Sequence, residues 1–436
     1  MRLAPKNSHW KTLRIAGVAL ALLFCVAAVL VWHIVAAAQH IPPATREGRW
    51  QEDLSFFARE YPSDHKDFGK VFGKEKFAAE MAAIEQAAAQ ISDAEIILRL
   101  MRLVASGHVG HSVVRFPPEP MAFHRLPLNF VWFSDGPAVT AASKEYSNVL
   151  GARVVRIGTM TPEEVEAGVA PYFSYENETW LHQQSPIYMI VQEILHELKL
   201  TNTDGTVDIT FAKADGIPFT LAVAPADWSA NAALITAIDG LKLPAALYRK
   251  NSKTNYWYEY LPDSQTLYIQ YNRCTDDPNL SMKDFSKDLF TFADTHTIQR
   301  TIVDLRFNQG GDSSVISPLE RGLKNREALS GQDRLITLIG PATFSSGLMA
   351  AMDFRDDLHA VLIGEPTGEK PNSYGEVKML KLPNSKLEIS YCTKFFRLTK
   401  NEDPPALAPD TIVRRSIADF LAGRDPVMDA AIHYSH

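Results

Sequence analysis

The chain has 436 residues, enough for two or three domains. Hydrophobic residues make up 46% and charged residues 22%, which excludes a wholly disordered chain. A formal net charge of −7, with no basic run after the first fifteen residues, excludes the basic stripe of a nucleic-acid binder, and three cysteines with no C-x-x-C pair exclude a disulfide scaffold or a zinc ribbon.

Arg2, Lys6, Lys11 and Arg14 precede an apolar run from Ile15 to Ala38. Positive charge held on the cytoplasmic side before an apolar stretch is the pattern of export. Residues 1–39 therefore read as a signal peptide, cut after Ala36-Ala37-Ala38, or as a retained signal anchor. Either way the remainder is expected outside the cytoplasm, touching a membrane only through that segment. Cys274 and Cys392 then occupy an oxidising space and read as buried free thiols. Asn177-Glu178-Thr179 fits a glycosylation acceptor pattern.

Residues 40–48 read as a linker, and 40–125 as a helical N-terminal region. Ser92-Asp93-Ala94-Glu95 predicts a capping box before Ile96, Ile97, Leu98, Leu100, Met101, Leu103 and Val104. That helix is apolar almost all round and should be buried, ending where Gly107 takes a left-handed turn. Residues 126–224 change character. Leu128 to Phe133, Ala138 to Ala142 and Arg153 to Ile157 are strand-like, and Thr161-Pro162-Glu163-Glu164 starts a helix. A helical insert follows from about Trp180 to Leu198, then strands at 205–211 and 219–223 around Asp215-Gly216. Residues 225–255 connect to the last block, 256–436. There, strand-like runs at 267–271, 301–305, 335–339, 360–363 and 387–391 alternate with helical stretches at 280–294 and 345–354. Such alternation predicts an α/β domain with largely parallel strands.

Three strand ends carry chemistry. Asp304-Leu305-Arg306-Phe307-Asn308-Gln309-Gly310-Gly311 runs from a buried strand into a glycine turn, whose open N–H groups suit a developing oxyanion. Phe344-Ser345-Ser346-Gly347 places two serines where a strand gives way to a helix, so one hydroxyl meets free N–H groups and the positive end of the helix dipole. Gly364-Glu365-Pro366-Thr367-Gly368-Glu369-Lys370 ends a third strand and supplies a lysine, which becomes a general base only if desolvation lowers its pKa.

These segments resemble the C-terminal processing, or tail-specific, protease family and the related catalytic core of the tricorn protease. The likeness continues through Pro371–Glu376 to Gly423-Arg424-Asp425-Pro426. It implies a crotonase-like (ClpP/crotonase-type) α/β protease core over 256–436, a PDZ-like domain over 126–224 carrying the helical insert as a departure, and no metal or organic cofactor. It implies Ser345 as nucleophile, and the N–H groups of Gly310 or Gly311 and of Ser346 as the oxyanion hole. Lys370 matches the family lysine, at 370 − 345 = 25 residues from the serine.

The general base has two candidates. Processing proteases pair serine with lysine, which favours Lys370, although a carboxylate at Glu369 turned inward would hold that lysine charged. Tricorn-like members use histidine, which matches His111 in Gly110-His111-Ser112. A histidine needs no large pKa shift but does need an orienting partner. Among Glu402, Asp403 and Asp410, the resemblance selects Asp403, at 403 − 345 = 58 residues from the serine. The expected function is an exported serine endopeptidase acting on peptides or unfolded proteins. The alternatives are a non-catalytic ligand-binding protein on the same fold, as in interphotoreceptor retinoid-binding protein, which resembles this family, and an envelope scaffold acting through 126–224.

Overall fold

The computed structural model describes residues 40–227, 234–331 and 334–435. Arg2 to Ala38, and with it the export segment, lies outside the described residues. Among the described residues no helix is long and apolar enough to cross a membrane.

The chain begins with helices Arg46–Asp64, Phe68–Phe72, Lys74–Ala87 and Asp93–Ala105. The Ser92 capping box forms as its sequence dictates, with both reciprocal hydrogen bonds to Glu95 present. Eight of that helix's thirteen residues are buried, as its all-round apolarity requires. The left-handed residue after it is His108, with φ 49°, and not Gly107. Gly107 is needed for a different reason: a Cβ there would meet the Phe72 ring at 2.5 Å.

An antiparallel sheet follows, in the order Leu128–Phe133, Gly136–Ala142, Arg153–Ile157, Val207–Ala212, Pro218–Val223, with Ile235–Thr236 added on the second strand. Between its third and fourth strands the chain makes helices Pro162–Val169, Glu178–Tyr188 and Gln192–Glu197. This insert begins earlier than Trp180, because Asn177 caps its central helix by accepting from the Trp180 N–H at 2.8 Å.

The last block builds a six-stranded sheet in the order Thr411–Ile412, Val361–Gly364, Leu335–Ile339, Arg300–Asp304, Thr266–Tyr271, Tyr256–Leu261. Only the last strand is antiparallel to its neighbour. Helices Met282–Ala293, Ser317–Lys324 and Ser346–Leu358 cover one face, and Pro426–Ile432 packs on the other. The strand run at 387–391 does not join this sheet. It belongs to a long hairpin, Asn372–Lys381 with Glu388–Arg397, which packs on the N-terminal helices. The Lys66 N–H donates to the Cys392 carbonyl at 2.7 Å, and Val114 bridges Ile389. Leu380, Leu382, Leu387 and Ile389 thereby share one core with the helices and the antiparallel sheet.

Arg306 links the two ends of the last block. It donates to both oxygens of Asp304 and both of Asp425, between 2.7 and 3.0 Å. Burial opposes its charge, but the two carboxylates outweigh that and hold the guanidinium charged. Asp425 in turn caps the C-terminal helix through the Met428 N–H. Cys274 and Cys392 are both buried free thiols, one at the core sheet and one in the hairpin.

Candidate active site

Three neighbouring parallel strands, Arg300–Asp304, Leu335–Ile339 and Val361–Gly364, end on the same side of the core sheet. Their carboxyl ends run into the Gly310-Gly311 turn, the Ser345 loop and the Glu369-Lys370 loop. This is where open α/β sheets place ligands.

Ser345 sits at the N-cap of helix Ser346–Leu358 with φ 53° and ψ −127°. That is a strained conformation for a side-chain-bearing residue, of the kind that presents a nucleophile on a tight strand-to-helix turn. Asn308, fully buried, holds the turn that faces it. Its Oδ1 accepts from the Gly310 N–H at 2.9 Å, its Nδ2 donates to the Tyr271 carbonyl at 2.9 Å, and its carbonyl accepts from the Phe344 N–H at 3.0 Å. Gly310 has φ 102°, and a Cβ there would lie 2.6 Å from Ser345 Cβ and 2.9 Å from the Ser346 nitrogen. The Ser346 hydroxyl donates to the Gly311 carbonyl at 2.7 Å, tying turn to helix.

The Gly310 N–H is thus spent on Asn308. The N–H groups of Gly311 and of Ser346, the first helical residue, meet no acceptor among the described residues. A Cβ built at Gly310 would lie within 3.1 Å of both the Ser346 nitrogen and Ser345 Oγ, so this turn, the helix start and the serine hydroxyl meet at one point.

Glu369 is the residue that sequence reasoning did not place. Its carboxyl turns inward and is almost wholly buried. One oxygen accepts from the Ser345 N–H, and the other accepts from the Ser373 hydroxyl at 2.7 Å. His111 Nδ1 faces the second oxygen across 3.4 Å, a separation too long and too poorly aligned for a good hydrogen bond, and this nitrogen makes no hydrogen bond among the described residues. The His111 ring also lies 4.7 Å from the Phe344 ring, which stacks on Trp180 at 4.1 Å. Burial pushes the His111 imidazole down to about 4, against a main-chain hydrogen bond at Tyr374 that favours its cation. Burial pushes Glu369 up to about 7, against the Ser373 hydroxyl and the Ser345 N–H. The imidazole is therefore neutral at pH 7, the form that can accept a proton.

Lys370 and Asp403 face each other. The Lys370 ammonium is 3.9 Å from Asp403, with the two side chains 32% and 65% exposed. Asp403 thus sits by the lysine, and the carboxylate facing His111 is Glu369. Glu402 contributes its carbonyl to Asn372 and Thr399, and Asp410 accepts from the Leu362 N–H, so both serve the framework. Neither His111 nor Lys370 hydrogen-bonds the Ser345 hydroxyl in this resting arrangement. Asp312 is a turn residue that accepts from Ser314, while Trp257 lies within the edge strand and bonds Gln270. Among the described residues no group of three or more His, Cys, Asp or Glu side chains could hold a metal ion. A concavity of about 1050 Å³ lies among the N-terminal helices, lined by Arg59, His65, Lys70, Phe77 and Met81 and not by the serine.

Glu369 was within reach of the sequence, beside Lys370 in the third strand-end loop. What the sequence lacked was its side-chain direction.

The fold is a mixed α/β fold shared with solved structures of mature CPAF. One solved structure with this likeness is mature CPAF, at 11% identity and a TM-score of 0.59, covering 88% of this chain and 96% of that one. A CPAF mutant gives 11% identity and 0.60, covering 89% and 99%. The tricorn protease is a weaker likeness, at 14% identity and 0.44, covering 89% of this chain and 36% of that one. So is the photosystem II D1 C-terminal processing protease, at 11% and 0.40, covering 85% and 94%. No family model and no curated protein matches the sequence. At 11% identity the likeness is one of fold.

Proposed function

We propose that the protein is an exported serine endopeptidase that cleaves peptides or unfolded proteins with Ser345 as nucleophile. The observation that carries this reading is the strained Ser345 at a helix N-terminus, with Gly310 packed against it and the Gly311 and Ser346 N–H groups without an acceptor among the described residues. Ser345 Oγ attacks the substrate carbonyl. The Gly311 and Ser346 N–H groups stabilise the tetrahedral oxyanion. His111 accepts the serine proton and returns one to the leaving amine. Glu369 faces the imidazole and fixes the nucleophile's main chain. The choice of His111 over Lys370 rests on that shared carboxyl. Lys370 instead pairs with an exposed carboxylate and steers a substrate carboxylate. Export rests on the basic-then-apolar N-terminus. The parallel-sheet block corresponds, on this reading, to a crotonase-like core, and the antiparallel sheet with its helical insert to a PDZ-like domain.

The test is degradation of casein by the full chain beside Ser345→Ala, with labelling by a serine-directed fluorophosphonate. The wild type is expected to cleave and to label, and Ser345→Ala to do neither. His111→Ala should lose at least 100-fold in turnover and Lys370→Ala less than 10-fold, the range general-base removal spans. The reverse order would assign the base to Lys370. Equal activity in wild type and Ser345→Ala would exclude Ser345.

A further inference from the structure

The segment from Ser174 to Trp180 leads into the central helix of the insert, yet its side chains reach the site loops. The Ser174 hydroxyl donates to the Ser112 carbonyl at 2.6 Å, and Glu176 Oε1 accepts from the Gly110 N–H at 3.2 Å. These bonds grip the residues on either side of His111. Asn177 Nδ2 donates to the carbonyls of Thr367 at 3.2 Å and Pro405 at 2.8 Å, holding the loop that carries Glu369. Trp180 stacks on Phe344, the residue before the nucleophile. One short segment therefore ties the histidine, carboxylate and serine loops together.

We propose that Glu176 is a positioning residue for His111, holding the Gly110 N–H as a neutral carboxylic acid. The reason is local. Glu176 Oε2 is buried and makes no hydrogen bond among the described residues. An anionic oxygen left bare in the interior is far costlier than a neutral one. The ionisable groups acting on it are Glu369 and Lys370 from the third strand-end loop, and it lies near the Cys392 thiol of the hairpin. The lysine is shared with Asp403 and partly solvated, so no full counter-charge serves two buried carboxylates. One of the two must hold a proton. Glu369 accepts on both oxygens, from a main-chain N–H and from a hydroxyl, whereas Glu176 accepts from the Gly110 N–H at 3.2 Å, is favoured as an anion only weakly by the Lys370 N–H, and keeps Oε2 without a hydrogen bond, so the proton belongs on Glu176. Burial first, and the Glu369 charge second, push Glu176 up to about 8. A protonated Glu176 leaves Glu369 as the carboxyl of the pair that gives up its proton first, facing the imidazole.

The kinetic part rests on the proposed peptidase reading; the stability part does not. Folded Glu176 binds more protons than its unfolded counterpart between about pH 4.5 and 8, so its contribution to stability is present at low pH and is lost as pH rises through that window. Full-length wild type, Glu176→Gln and Glu176→Ala are melted from pH 5 to 9 and assayed on fluorescent casein. Relative to Glu176→Gln, the wild-type Tm is expected to fall by several degrees between pH 5 and 9. Glu176→Ala is expected to lose about tenfold or more in kcat with KM unchanged, and Glu176→Gln to restore most of that loss. Parallel Tm curves for wild type and Glu176→Gln would overturn the neutral acid. A Glu176→Gln kcat as low as that of Glu176→Ala would overturn the positioning role. If the wild type cleaves no better than Ser345→Ala, the peptidase reading fails while the Tm comparison still decides the proton.

Discussion

Glu369 does two things at once: it holds the Ser345 main chain, and it presents an oxygen to His111. Changing it to Gln keeps the shape but not the polarity, because one of the two oxygens becomes a donor. The amide can still accept from the Ser345 N–H, and its NH2 group then faces His111 Nδ1 and stabilises the wrong tautomer. Glu369→Gln is expected to lower kcat by about 10³-fold or more, the order seen when a triad carboxylate becomes an amide, with little change in Tm. A steady-state assay beside a thermal melt checks both. Ser345, Gly310, Gly311 and His111 could be singled out from sequence only because their segments occur together, each alone reading as an ordinary turn, cap or surface residue. Glu369 was read only as a neighbour that threatened Lys370. A sequence gives a side chain's place in the chain but not the direction it points, and here one turn of the loop sends the carboxyl inward and the ammonium out to Asp403. Asp403 was selected by its spacing within the tricorn-like resemblance, and its carboxylate lies 3.9 Å from the Lys370 ammonium.

Elements were more legible than their partners. Periodicity located most strands and helices to within a few residues, since alternation and capping are local properties. The run at 387–391 shows where local reading stops. Its apolar pattern fits a strand of the core sheet as well as one of a hairpin, and only the pairing with Asn372–Lys381 decides. The two-residue strand Thr411–Ile412 carries too little pattern to be seen. The turn at Gly310 makes a sharper test of an element. Its φ of 102° and the 2.6 Å approach to Ser345 Cβ leave no room for a methyl group. Gly310→Ala is expected to cost about 1–3 kcal/mol in stability and to reduce turnover more than 100-fold, as strain moves the nucleophile. Denaturant unfolding beside the casein assay measures the two effects. A variant with full activity would show that the turn and the serine are not coupled.

At the scale of the whole molecule, the boundaries read from sequence do not coincide with the cores. The N-terminal helices, the antiparallel sheet and the hairpin of the last block share one apolar cluster, while the parallel sheet has its own clusters on its two faces. The hairpin belongs to residues 256–436 by sequence but to the N-terminal half by packing. Residues 256–436 produced alone are therefore expected to expose Leu380, Leu382, Leu387 and Ile389 and to fail to melt cooperatively. Calorimetry of that fragment, compared with the full chain, checks this, and a sharp transition in the fragment would restore the sequence boundary. The site is assembled in the same way. His111 comes from the segment after the first helices, Glu176 from the insert, and Ser345 and Glu369 from the parallel-sheet block.

Asn177 has committed its entire amide: the oxygen caps a helix, and the nitrogen spans two carbonyls of neighbouring loops. It is also the acceptor of an Asn-Glu-Thr triplet. A eukaryotic secretory host attaches its sugar as the chain emerges, before these contacts exist. An oligosaccharide there would occupy the place of both carbonyls and keep the loops apart, so the choice of production host decides whether this clasp can close at all.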